Sequence, residues 1–365
     1  MTFKLWLRSE ARATERRAAI VPDDARLLVA RGIGVTVERS PQRAFPLTEY
    51  AAAGCRIVPQ DSWSEARPED VIVGLKGLPS RPWALRNRHV VFAHAYKGQP
   101  GGRELLSRFT AGGGALLDME CLVDDEGRRV AAFGYWAGFV GASLAVLHAR
   151  RVLPTLLEPL SGGELRARLR SSRRGRDRRE TAVVVGSRGR CGRGACEALE
   201  TAGIVPARWG RQETARLDRE ALLGHDILIN AIGAEHAVPP LLTEQDLDHP
   251  ARRLSVVGDV TCDVGAPTHA LPVYTVPSTW DRPVQRLYGR GRPLDVIGLD
   301  NLCSLIPVEA SRDFSRALCA HLPSLRDGSP LWQRALEHFL RLSAAPERPH
   351  RAPRHGAVAT RPPPP

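Results

Sequence analysis

Thr181-Ala-Val-Val-Val-Gly186-Ser-Arg-Gly189-Arg-Cys-Gly192-Arg-Gly194 runs from a β-branched apolar stretch through spaced glycines into a helix-like segment. Strand, glycine turn and helix in that order are what a dinucleotide-binding βα unit requires. Gly186 reads as the tight turn, Gly189 as the point where backbone approaches a pyrophosphate, and Gly192 as the close helix-to-strand contact. The first spacing is GxxG rather than GxG, and a glycine pattern alone also fits a structural turn. The flanking strand and helix favour the nucleotide. The next strand, Ala207-Arg-Trp209, would in an NAD enzyme end on an acid that holds the adenosine ribose hydroxyls. Gly210 and Arg211 stand there instead. The change removes repulsion toward a 2′-phosphate and offers a guanidinium, so NADP enters beside NAD as a candidate coenzyme.

Outward from this loop, strand and helix signals alternate. Before it, residues 3–7, 34–38, 71–76, 90–94 and 115–120 read as strands and 23–31 as a helix. After it, 226–230 and 254–257 read as strands, with further ones near 272–275 and 295–297. Helical periodicity returns over 310–322 and 331–342, and these helices are expected to pack on the first domain. Such alternation specifies an α/β chain with largely parallel sheets and helices on both faces. The expected substrate and catalytic domain is 1–133 plus 310–342. The dinucleotide domain is 134–309, with an Arg-rich linker over 164–180, and 343–365 is a disordered Pro/Arg-rich tail.

The 365 residues suit about two domains, and 43% hydrophobic with 25% charged residues allows a sizeable core. No window holds the ~18 consecutive apolar residues of a membrane span, and the N-terminus lacks a signal peptide's order. A soluble cytoplasmic protein is expected. The seven cysteines show no CxxC pair or zinc spacing, so no metal is expected. The net charge of +12 raises nucleic acid as a partner, but the charge is marginal in position. Eight Arg and one Asp lie between Arg166 and Arg179, and four Arg and one Glu lie in 343–365. Neither segment interleaves aromatics for base stacking, so nucleic-acid binding is not the main function.

The 52 basic residues divide into 49 Arg and three Lys, at Lys4, Lys76 and Lys97. Guanidinium does not deprotonate in the working pH range, so a retained lysine marks chemistry that needs a titratable amine. Lys4 also fits a plain strand-surface residue. Lys76, His94 and Glu120 close three strands, where α/β sheets bind ligands. A desolvated lysine or a histidine can move protons near neutral pH. Arg17, Arg128 and Arg129 suit recognition of carboxylates.

Five segments, in this order, carry a family resemblance: Glu15-Arg-Arg-Ala-Ala-Ile-Val-Pro22, Val73-Gly-Leu-Lys76, Phe92-Ala-His-Ala-Tyr-Lys-Gly-Gln99, Gly127-Arg-Arg-Val-Ala-Ala-Phe-Gly134 and Gly189-Arg-Cys-Gly192. The chain resembles the lysine-forming saccharopine dehydrogenases of the wider alanine dehydrogenase and transhydrogenase group. The resemblance runs from about residue 5 to about 339, interrupted over 150–180. It implies two Rossmann-like parallel-sheet domains with a cofactor and substrate cleft between them. It also implies reversible NAD-dependent oxidation of saccharopine, then imine hydrolysis to L-lysine and 2-oxoglutarate, by a monomer. It further implies that Lys76 exchanges the proton of the secondary amine and His94 serves the water and carbinolamine steps. Arg17, Gln99, Arg129 and Phe133 would line the substrate site, with Thr261, Cys262 and Asp263 facing the substrate and Lys97 and Glu120 tuning its charge. Arg128, Gly189, Arg190, Thr214, Val260, Leu299, Asp300, Asn301 and Leu302 would touch the cofactor.

The chain departs from the family pattern at Gly210 for an acid, Gly233 for an aromatic cofactor contact and Asn301 for a histidine. All three lie in the nucleotide half. Cys191 has Ala231 opposite where the resemblance implies a second cysteine, so no regulatory disulfide is expected there. Two other readings stand: a related reductive-amination dehydrogenase of another amino acid and keto acid pair, and a non-enzymatic scaffold for anionic partners.

Overall fold

The computed structural model describes residues 4–93, 95–96, 101–173, 180–234, 236–287 and 292–344. Short β-branched and leucine-rich runs, most of them buried, form two six-stranded sheets. The first holds β1 (Lys4–Leu7), β2 (Gly34–Glu38), β3 (Arg56–Val58), β4 (Val71–Val73), β5 (Arg88–Val91) and β6 (Ala115–Asp118). Their order is β3-β2-β1-β4-β5-β6, all parallel. The second holds β7 (Ala182–Val185), β8 (Pro206–Trp209), β9 (Ile227–Asn230), β10 (Val256–Asp259), β11 (Gln285–Leu287) and β12 (Leu294–Ile297). Here the order is β11-β12-β10-β9-β7-β8, with β11 antiparallel to β12.

Each sheet reverses strand order at its first strand, between β1 and β4 and between β7 and β9. Ligands in open parallel sheets bind at the carboxyl ends of such pairs. The segment after β4 reaches Lys76, and the segment after β7 is the glycine loop.

The sequence reading needs two corrections. Residues 272–275 are not a strand: Pro272 has no N–H for a ladder, and the edge is taken by β11, a polar run. Tyr274 is buried by tertiary contacts instead, its hydroxyl donating to Asp259 at 2.6 Å. The short β3 was also missed, since Arg-Ile-Val offers too little periodicity.

The helix Gly134–Ala149 is apolar on nearly every side and packs across β9, β10 and the helix Arg190–Thr201. Contact is closest at Gly138, where a Cβ would lie 1.7 Å from the Cys191 carbonyl oxygen. A helix backbone cannot give way like a flexible side chain. Gly138→Ala is therefore expected to cost about 1–3 kcal/mol, read as a lower denaturant midpoint. An unchanged midpoint would contradict this packing.

The helices Pro307–Cys319 and Pro330–Ser343 return to the first sheet, where Phe314, Leu318 and Trp332 share a core with Leu5, Val71 and Val90. Ser311 and Ser315 accept backbone hydrogen bonds from Ala18 and Val21, both at 2.9 Å. These bonds fix the segment that follows Arg17. The Arg-rich region is partly structural, since Arg166 lies 4.6 Å over the Phe139 ring and pairs with Glu197 at 2.9 Å. Residues 174–179 and the tail from 345 lie outside the described residues. No described helix is long and apolar enough to cross a membrane.

His89 on β5 is fully buried, edge-on to Trp63 and Phe109 at 5.3 and 5.2 Å, with both ring nitrogens unpartnered. Burial, aided by the Arg8 and Arg108 charges, pushes its pKa down to about 3. An unfolded histidine takes its proton near ~6.5. Below that pH the unfolded chain binds a proton that the folded chain refuses, so stability falls until about pH 3 at roughly 1.4 kcal/mol per unit. Between pH 7 and 5, His89→Leu should lose less stability than the wild type by about 2 kcal/mol. Parallel losses would contradict a neutral buried His89.

Candidate active site

A cleft of about 250 Å³ lies between the two sheets' carboxyl edges. Arg17, Lys76, Glu120, Arg129 and Phe133 reach it from the first sheet's side. Val260, Thr261, Cys262 and Leu299 through Leu302 reach it from the second. A larger cavity of about 430 Å³ is lined by Glu10, Gln42 and Asp61, but these residues are hydrogen-bonded within the surrounding loops. Among the described residues, no lysine or histidine lines it.

Lys76 is held by its backbone. The buried Glu10 carboxylate accepts from Leu75 N at 2.7 Å and Lys76 N at 3.0 Å, while Arg8 donates to the carbonyls of Lys76 and Gly77. The side chain is thereby left to the cleft, its Nζ 3.9 Å from Asp300 Oδ1. Burial lowers the Lys76 pKa, and the nearby Arg17 and Arg12 charges lower it further, while Asp300 and Glu15 oppose them. Asp300 also accepts from Arg12 at 2.6 Å. Burial works against its charge, but Lys76, Arg12 and Arg17 together hold its carboxyl below the ordinary range.

Arg17 sits beneath them, 5% exposed. Its Nε and Nη2 donate to Glu15 at 2.7 and 2.6 Å, and Glu15 also accepts from Arg17 N and from Ser304 Oγ. Burial disfavours both charges, yet each carboxylate or guanidinium stabilises the other, leaving the Glu15 pKa lowered and the Arg17 pKa raised. Nη2 also donates to Asn301 Oδ1. Arg17 stacks 4.1 Å over Phe133, which itself stacks on Phe314 at 4.2 Å. One guanidinium edge is thus occupied by Glu15 and the second Nη2 proton by Asn301, which leaves Nη1 for a ligand carboxylate.

Across the cleft, Asp259 organises the loop after β10. Its Oδ1 accepts from Asn230 Nδ2 at 2.9 Å and from Thr261 N and Cys262 N at 3.2 Å. Thr261 Oγ1 donates to the Ile232 carbonyl at 2.9 Å, and Cys262 has φ +50°. Burial, followed by the Asp259 charge, pushes the Cys262 thiol up to about 12, so it is a neutral wall rather than a nucleophile. Asp263 is not drawn into the cavity; its carboxylate accepts from Thr268 Oγ1 at 3.0 Å within its own loop.

In the nucleotide half, Gly186 has φ +84°, and a Cβ there would lie 2.5 Å from the Ala231 carbonyl. A Cβ on Gly192 would lie 2.2 Å from Gly186 O, so the helix can approach the turn only without a side chain. Gly189 caps the helix Arg190–Thr201 and meets nothing closer than 3.4 Å, which leaves a cradle with free helix N–H groups. These residues fit a pyrophosphate. Arg190 Nη2 donates to the Arg129 carbonyl at 2.6 Å, tying this helix to the substrate side. Thr214 Oγ1 bonds Gly210 O at 2.9 Å, and the space at Gly233 is open. Arg128 departs from expectation. It is exposed and held outward by Asp124 at 2.9 Å and Glu126 at 2.8 Å, so its charge is satisfied in the surface turn.

His94, Lys97 and Gln99 lie outside the described residues. Sequence reasoning missed Glu10, Arg12 and Glu15 as site residues, and Cys303, whose thiol donates to Phe133 O at 3.3 Å. Glu15 had a signal, being two positions before Arg17 in a resembling motif; Arg12 is one arginine among 49.

A glycine loop on one mostly parallel sheet, facing a lysine and arginine cleft on another, is the arrangement expected of a nicotinamide-nucleotide dehydrogenase. Residues 6–140 match the family "Alanine dehydrogenase/PNT, N-terminal domain". An L-alanine dehydrogenase structure superposes with TM-score 0.67 at 14% identity, covering 93% of this chain and 94% of that one. A transhydrogenase from Sinorhizobium meliloti gives 0.62 at 16%, covering 90% and 96%. These show the fold. The chain is 41% identical to "Saccharopine dehydrogenase [NAD(+), L-lysine-forming]" of Neurospora crassa, over 92% of this chain and 95% of the relative. It is 39% identical to the same-named protein of Schizosaccharomyces pombe, over 91% and 96%. The chain belongs to the saccharopine dehydrogenase family and is an oxidoreductase.

Proposed function

We propose that this chain catalyses the reversible, nicotinamide-dependent conversion of saccharopine and water to L-lysine and 2-oxoglutarate. The observation that carries the reading is Lys76, a rare lysine partly buried in a cleft beside Arg17 and Arg129. The names of the two relatives point the same way.

A bound nicotinamide coenzyme would supply the hydride-transfer chemistry needed at the glutaryl α-carbon. The residues from Gly186 to Gly192 would hold its pyrophosphate, and Val260 with Leu299 through Leu302 would flank it. NAD is the coenzyme in the relatives' names, and Gly210 with Arg211 extends the choice to NADP. Arg17 and Arg129 would bind substrate carboxylates, with Phe133 supporting Arg17 from below. Thr261 and Cys262 would close the opposite wall, and Glu120 would temper the positive field. Lys76 would take the proton from the secondary amine as the imine forms, its lowered pKa making the neutral amine accessible. His94, three positions past the end of β5, would move the protons of water addition and carbinolamine collapse.

The test is oxidation of reduced coenzyme in the presence of 2-oxoglutarate and a panel of amines. Lysine-dependent turnover is expected. Turnover with another amine and none with lysine would assign the chain to a different amino acid and keto acid pair.

A further inference from the structure

We propose that Arg188 and Arg211 form a binding site for the 2′-phosphate of an adenosine nucleotide, which makes this chain prefer NADP(H) over NAD(H). The inference rests on the nucleotide reading of the 186–192 loop and assigns a residue, Arg188, that the sequence did not single out.

The site stands at the end of β8, next to β7 on the side away from β9. In a dinucleotide-binding unit the adenosine ribose lies there, with its hydroxyls toward the last residue of the second strand. In this chain that place is Gly210, with no side chain to reach a ribose. A Cβ built on Gly210 would meet nothing closer than 3.5 Å. What lies around it is charged: Arg188 Nε at 3.7 Å and Cδ at 3.9 Å, and Glu213 Oε2 at 3.5 Å. Arg188 arrives from the glycine loop and lies beside Gly210, and Arg211 follows Gly210 directly in the chain.

Both are exposed, and neither forms an ion pair with a carboxylate among the described residues. Elsewhere, several arginines of this chain are paired, including Arg12, Arg17, Arg128, Arg208 and Arg219. Arg208, on β8 itself, is tied to Glu200 at 2.5 Å. Arg188 stands beside the place a ligand dianion would take, and Arg211, also exposed, adjoins that place in the chain. Guanidinium is suited to that load because its planar fork bonds phosphate oxygens in pairs.

Glu213 is the rival group. Its Oε2 accepts from Gly210 N at 2.6 Å, and that bond, then the one to its own backbone N–H, holds its carboxyl below the usual range. Its charge faces Arg188, which also stabilises it. This carboxylate is committed to the backbone rather than presented to a ribose. Ser187 is not a phosphate ligand here, since its hydroxyl donates to Trp209 O at 3.1 Å.

Nucleotide binding to the full chain, measured by calorimetry without substrate, tests the site independently of turnover. The probes are 5′-AMP, adenosine 2′,5′-bisphosphate and adenosine 3′,5′-bisphosphate. The 2′,5′ compound is expected to bind at least ten times tighter than 5′-AMP and clearly tighter than its 3′,5′ isomer, with the advantage shrinking as salt rises. Arg188→Leu and Arg211→Leu should each remove most of that advantage while leaving 5′-AMP affinity within about twofold. Gly210→Asp should reverse the preference. Equal binding of 2′,5′-bisphosphate and 5′-AMP overturns the proposal and leaves the nucleotide reading intact. Equal binding of the two bisphosphates also overturns it, as attraction to a basic surface only. Failure of all three to bind would remove the nucleotide reading and the proposal together.

Discussion

Lys76→Met should lower turnover by ~10²- to 10⁴-fold, the range ascribed to a positioned acid–base group, with little change in thermal midpoint. The two effects separate because the protein holds this residue by its backbone: Glu10 takes the N–H, and Arg8 takes the carbonyl. Neither contact uses the amine. Lys76→Arg is the sharper variant, since it keeps the cation and removes the titration. It should be as inactive as the methionine variant if the amine moves a proton, and partly active if only charge is needed.

The pH dependence gives the sign. In saccharopine oxidation the proton acceptor must be neutral, so the rate rises with pH through the Lys76 pKa. Asp300, 3.9 Å away, holds that pKa up against burial and the arginines. Asp300→Asn removes this support and also frees Arg12, whose charge lowers the Lys76 pKa. Both changes act in one direction. The rising limb of kcat/KM should therefore move to lower pH in Asp300→Asn. A limb that stays in place, or moves to higher pH, would separate Lys76 from the proton transfer.

What made Lys76 visible in the sequence was scarcity. Where surface charge is supplied by arginine, a lysine at the end of an apolar strand stands out, and the two-sheet α/β fold was legible from the strand and glycine order. The groups that set its proton affinity were not. Arg8, Arg12 and Arg17 are chemically alike in sequence. Their difference arises from pairing: Arg8 with backbone carbonyls, Arg12 with Asp300, Arg17 with Glu15. Asp300 lies 224 positions from Lys76 and meets it only because two sheets face each other across the cleft. Arg128 and Arg129 show the same limit at one residue's spacing. Both suit carboxylate recognition, but the turn's acids claim Arg128, and Arg129 alone lines the cavity. The false strand at 272–275 came from apolar composition, which Tyr274 satisfies by reaching Asp259 rather than by pairing in a sheet.

Breaking the Glu15–Arg17 pair should have the largest effect on stability of any single change in the cleft. Both groups are nearly inaccessible, and their contacts are 2.6–2.7 Å. Removing one partner leaves the other charge buried and unmatched, which costs roughly 3–5 kcal/mol. Glu15→Met should therefore lower the thermal midpoint by several degrees or more, beyond what loss of the Ser304 contact at 2.8 Å explains. Arg17→Met should do the same and also remove substrate affinity, seen as a KM for 2-oxoglutarate raised at least tenfold. The double variant decides between structure and recognition. With both charges replaced by apolar side chains of similar size, no buried ion remains, and most of the lost stability should return. Activity should not return, because the guanidinium edge facing the cleft is gone. If the double variant is only as stable as the sum of the single losses, the pair is not coupled as its geometry requires. If it regains substrate affinity along with stability, Arg17 supports the fold and another arginine binds the carboxylate.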